Sequence, residues 1–97
     1  MVDVDRYVHV FKGYPMVKKA VLFGSRAKGN FRRYSDIDIA LFGDLGLLDA
    51  EKIACELEEL PIVQKFDVVD YQRINNPDLK EHIDRVGVVV YENKSIN

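Results

Sequence analysis

The chain has 97 residues, 31% of them charged and 47% hydrophobic, with a formal net charge of −2 and one cysteine. Those numbers predict one small domain over residues 1–97, with a single core and no internal disulfide. No apolar run is long enough to cross a bilayer and no charged-then-apolar leader opens the chain, so no membrane partner is expected, and the single Cys55 fits a reducing cytoplasm.

The modest net charge hides a segregation. Eight basic residues and no acidic one lie between Arg6 and Ser35, whereas sixteen acids face six bases elsewhere. A domain that coats nucleic acid is usually basic throughout, so direct nucleic-acid binding is not expected. A basic arm beside an acidic pair suits a nucleoside triphosphate and its metal better.

Taken in order, Val4, Tyr7, Val8 and Phe11 carry the helical i, i+3, i+4, i+7 spacing, with Asp3 as a cap and Gly13 as a stop. Val17 to Phe23 reads as a first strand. Gly24 and Ser25 follow as a turn, then a turn or short helix to Lys28 and a basic loop from Gly29 to Ser35. Ile37 to Phe42 is a second strand closed by Gly43. Asp49 is expected to cap a helix running to about Leu60, with Ala50, Ile53, Ala54, Leu57 and Leu60 as its buried stripe. Pro61 stops it. Lys65 to Tyr71 is a third strand. Asn76-Pro77 opens a last helix with the face Leu79, His82, Ile83 and Val86, which Gly87 ends. Val88 to Tyr91 is a final apolar strand or arm, suited to a homodimer edge. The fold class is α/β, a small mixed sheet flanked by helices.

Two parts of this pattern carry chemistry. Small residues at Gly24 and Ser25, straight after a buried strand, let backbone N–H groups approach an anion closely. Arg26 and Lys28 lie where they could add positive charge. Further on, Asp36 and Asp38 fall on one side of a strand whose other side is Ile37, Ile39 and Leu41. Adjacent carboxylates repel one another, and a divalent cation with hard oxygen ligands, such as Mg2+, relieves that repulsion. Turn propensity accounts for Asp36, but Asp38 lies inside a strand, where Asp is depleted. A later strand offers Asp67 and Asp70 on opposite faces. If Val68 faces the core then so does Asp70, which leaves Asp67 facing the site and Asp70 near the strand end as a structural cap. His9 and His82 have no zinc-like spacing. Cys55 has no base beside it in sequence and reads as a half-buried thiol.

Gly-Ser, ten residues, then Asp-x-Asp, with a third acid on a later strand, resembles the DNA polymerase β-like nucleotidyltransferases, and the short length resembles their minimal branch. The resemblance spans about Lys18 to Tyr91 and implies a polymerase β palm-like fold. It implies metal ligation and catalysis by Asp36, Asp38 and Asp67, with two Mg2+ ions. It also implies triphosphate binding by Gly24, Ser25, Arg26 and Lys28, with ATP as substrate. In the minimal branch it implies a separately encoded HEPN-domain toxin as partner, silenced by transfer of AMP onto a tyrosine. The competing expectation is a non-catalytic antitoxin that neutralises its partner by complex formation. A third reading, an enzyme acting on a small hydroxylated molecule, needs an acceptor groove that the sequence does not reveal.

Overall fold

The computed structural model describes residues 4–23, 37–60 and 65–93. In chain order its elements are α1 (Val4–Lys12), β1 (Val17–Phe23), β2 (Ile37–Gly43), α2 (Asp49–Glu58), β3 (Phe66–Asp70), a 3-10 turn (Tyr71–Arg73), α3 (Pro77–Val86) and β4 (Val88–Glu92). The four strands form one sheet in the order β3-β2-β1-β4. β1 runs antiparallel to both β2 and β4, while β2 and β3 are parallel, so the expected mixed sheet is what forms.

Alternation along the strands gives the sheet two apolar faces. Ala20, Leu22, Ile37, Ile39, Leu41 and Phe66 join Tyr7, Val10 and Phe11 of α1 and Ile53 and Leu57 of α2 in the larger core. Tyr7, Phe11, Ile39, Leu41, Ile53 and Leu57 are fully buried there, each stabilising the fold by about 1.5–3 kcal/mol. The α1 stripe is thus Tyr7, Val10 and Phe11, with Val8 only half-buried. Tyr7 meets Phe66 edge-on with ring centroids 5.4 Å apart, and Phe11 leans on Tyr91 at 5.6 Å. The opposite face is smaller: Val21, Phe23 and Ala40 pack under Ile83 of α3, with Phe42, Val69, Tyr71 and Leu79 around them.

Two glycines hold this arrangement for different reasons. Gly43 has φ 152° where the β1–β2 register slips between Val17 and Lys19, and a Cβ there would lie 2.1 Å from the Met16 carbonyl oxygen. Gly87 ends α3, as expected, but with φ −67°, a value open to any residue. Its requirement is close approach, because a Cβ would sit 2.4 Å from Val21 Cγ1 and 2.5 Å from the Ile83 carbonyl oxygen.

Capping follows the sequence at one helix and departs from it at another. The Asn76 side chain accepts from the backbone N–H of Asp78 and Leu79, with Pro77 at the first helical position. At α2 the cap position is Leu48, with no side-chain capping bond. Asp49 already belongs to the helix, and its Oδ2 accepts from the Gly46 N–H at 2.7 Å, closing the preceding loop instead. Cys55 is exposed rather than half-buried, because Ile53 and Leu57 take the inward positions.

Candidate active site

The second face of the sheet is laid out in rows across β1, β2 and β3. Register pairs Phe23 with Asp38 and Asp38 with Asp67. The next row is Val21, Ala40 and Val69, and the one after contains Lys19 and Phe42. Tyr71, just beyond β3, stacks on Phe42 at 4.3 Å, with Lys19 Nζ 4.4 Å above the Phe42 ring. α3 covers the apolar rows. The carboxylates occupy the row where β1 ends and where β2 and β3 begin.

Asp38 is half-buried and Asp67 exposed. As register partners on parallel neighbours they project from the same side, with backbones about 4.8 Å apart. Two like charges so placed repel one another in the absence of a counter-ion. Ile37 and Ile39 on either side of Asp38 are at most 1% exposed on the other face, which fixes the direction of the Asp38 side chain. The donor set therefore fits a hard divalent cation, with carboxylate oxygens from two adjacent strands.

Asp70 follows the other reading. It is the buried charged residue among the described residues, 9% exposed, on the opposite face from Asp67. Its Oδ1 accepts from the Gln72 N–H at 3.1 Å, and its Oδ2 pairs with Arg73 Nε at 3.1 Å. That makes it the cap of the 3-10 turn. Gln72 reaches back to donate to the Gly43 carbonyl, tying this turn to the end of β2.

Gly24, Ser25, Arg26, Lys28 and Asp36 lie outside the described residues. What is described is their attachment: β1 delivers Phe23 beside Asp38, and the chain returns into β2 at Ile37. His82, which sequence reasoning treated only as a helix-face histidine, packs edge-on against Phe23 with centroids 6.3 Å apart. Non-local pairing of α3 with β1 is what brings it there, and its own stretch of sequence gives no hint of this. No helix of the described residues is long and apolar enough to cross a membrane.

A model of the family "Polymerase beta, Nucleotidyltransferase" matches residues 6–96. The chain belongs to that family. Among curated proteins it is 42% identical over 69 residues to MJ0435 of Methanocaldococcus jannaschii, provisionally named a protein adenylyltransferase, covering 69% of this chain and 72% of that one. It is 32% identical over 72 residues to the Haemophilus influenzae probable protein adenylyltransferase MntA, covering 72% of this chain but only 62% of the relative's length. Among solved structures, a chain of a toxin-antitoxin crystal structure with AMP-PNP superposes with a TM-score of 0.81 at 22% identity, over 96% of this chain and 76% of the other. A chain of a structure of a tri-AMPylated Shewanella oneidensis HEPN toxin in complex with an MNT antitoxin gives 0.63 at 20% identity, over 94% and 71%. These structural likenesses show a shared fold, and with the family match that fold is polymerase β-like nucleotidyltransferase.

Proposed function

We propose that this protein is a metal-dependent nucleotidyltransferase that moves AMP from ATP onto a tyrosine hydroxyl of a HEPN-domain toxin, and so acts as its antitoxin. The observation that carries the reading is the register pairing of Asp38 with Asp67. Membership of the family and the adenylyltransferase names of two relatives support the reaction class. The toxin-antitoxin context of the structural neighbours supports the partner.

In this reading Asp38 and Asp67, joined by Asp36, hold two Mg2+ ions. When bound, they would neutralise charge on the triphosphate and lower the pKa of the attacking hydroxyl. Gly24 and Ser25 seat the β- and γ-phosphates through backbone N–H groups and the serine hydroxyl, and Arg26 and Lys28 add positive charge. The acceptor oxygen forms a bond to the α-phosphorus as the bond from that phosphorus to the α–β bridging oxygen breaks. Pyrophosphate leaves in line, and the hydroxyl proton passes to Asp67, the exposed member of the pair. Holding acceptor and ATP together supplies much of the rate through orientation. The test is incubation with α-labelled ATP and magnesium, with and without the toxin partner. Label on the partner supports transfer, and a stoichiometric unlabelled complex supports neutralisation by binding alone.

A further inference from the structure

β3 is an edge strand of the sheet, and among the described residues nothing pairs with its outer side. A groove of about 530 Å³ lies along that side, walled by Leu47 and Ala50, by Val68 and Val69, and by Ile74 and Leu79. Successive strand residues point to opposite faces, and here Val68 packs with the α1/α2 core while Val69 packs with the α3 core. A groove lined by both must wrap around the strand edge, where unpaired backbone N–H and C=O groups are presented. Leu47, which lines it, is 74% exposed, and its chain neighbour Leu48 is 55% exposed.

From these features, and resting on the transferase reading above, we propose that the β3 edge is the acceptor-docking site. It binds an extended, basic and apolar segment of the acceptor protein as an added strand, and presents that segment's hydroxyl side chain to Asp67. Three observations select this occupant. An unpaired strand edge between apolar walls favours an extended chain, because backbone hydrogen bonds give affinity and alternate side chains fill the walls. Glu51, exposed, lines the groove, where Asp70 and Arg73 neutralise each other. The lining therefore carries a net negative charge, and a second copy of this chain would bring two such charges together. Finally, Val69 and Asp67 share a face two residues apart, about 6.6 Å along the strand. A strand lying beside β3 runs directly past the carboxylate row. The opposite edge is less suited: β4 carries an extra residue at Val90 that breaks its register, and the cavity of about 170 Å³ that Val89 lines lies over β1 and β2 against α3 rather than along the outer side of β4.

The test uses the full chain and a capped hexapeptide, Lys-Val-Tyr-Val-Lys-Val, as probe, followed by backbone amide NMR and by AMP transfer from α-labelled ATP with magnesium. The expected result is slowed amide exchange and shifted resonances centred on Val68 to Asp70. Affinity should fall at least tenfold for Leu47→Asp, an exposed position whose substitution leaves the unfolding midpoint unchanged. A peptide N-methylated at alternate residues should fail to bind in at least one of the two registers of methylation. Shifts centred on Val88 and Val89, equal binding by both N-methylated peptides, equal binding by Leu47→Asp, or no binding at millimolar peptide would each overturn the docking proposal. The two claims separate cleanly. Peptide bound at β3 with no label on its tyrosine removes the transferase reading and leaves the groove, whereas labelled peptide without perturbation at β3 does the reverse.

Discussion

Asp38 on β2 and Asp67 on β3 are direct register partners across a parallel strand pair, so two acid side chains leave the same side of the sheet with only one inter-strand spacing between them. Side by side on one face, their like charges repel one another, and a bound cation would relieve that repulsion. Without divalent metal, Asp67→Asn is predicted to be neutral or stabilising, by about 0.2–1 kcal/mol, because it removes like-charge repulsion. Adding magnesium should raise the unfolding midpoint of the parent protein and shift that of Asp67→Asn much less, since a ligand that binds only the folded state stabilises it in proportion to its affinity. Thermal unfolding with and without magnesium checks both halves.

Asp70 should show the opposite phenotype. It is buried, caps the turn after β3 and pairs with Arg73, so Asp70→Ala strands partners that it now satisfies. A loss of about 1–3 kcal/mol is expected by denaturant unfolding. The magnesium-induced rise in midpoint should persist, because Asp70 points to the other face from the carboxylate row.

Gly87→Ala should be destabilising although its backbone conformation is ordinary. The added methyl would meet Val21 Cγ1 at 2.4 Å and the Ile83 carbonyl oxygen at 2.5 Å, forcing α3 away from β1. Overpacking of this kind costs about 1–3 kcal/mol. A shift of the urea midpoint without a change of slope is the expected signature.

Tyr14 offers a pH-dependent prediction. Its hydroxyl donates to Glu56 Oε1 at 2.8 Å, linking the turn after α1 to α2. That hydrogen bond, then burial and the Glu56 charge, push its pKa from 10.0 up to about 12. The folded state thus holds the phenolic proton more tightly than the unfolded chain does. The contribution is complete below about pH 10 and is lost as pH rises from there through about 12. Unfolding midpoints measured across that window should fall less steeply for Tyr14→Phe, which costs about 0.5–1.5 kcal/mol at neutral pH.

Much of the fold was legible because the local signals agree with the tertiary arrangement. Ile37, Ile39 and Leu41 alternate with Asp38, which fixes a strand and tells which side is polar before any partner strand is known. The same period of two separates Asp67 from Asp70, and the structure puts them on opposite faces. Asn76-Pro77 marks its helix start for a purely local reason. Relations between distant segments were not legible. Asp49 resembles a cap, yet Gly46 competes for its carboxylate and wins. Gly87 reads as a helix stop, but its need for no side chain comes from Val21, sixty-six residues earlier in the chain. The groove along β3 has no sequence signature, since α2, β3 and α3 build it jointly and only the strand order makes β3 an edge. The proposed acceptor-docking site is of this kind.

The central claim is that the Asp38–Asp67 pair is the centre of nucleotidyl transfer. Its most direct test is AMP transfer from α-labelled ATP with magnesium onto the proposed HEPN-domain partner, comparing the parent protein with Asp67→Asn at matched folded fraction. The account predicts labelled partner for the parent and at least a hundredfold lower rate for the variant. Equal labelling by Asp67→Asn would contradict it.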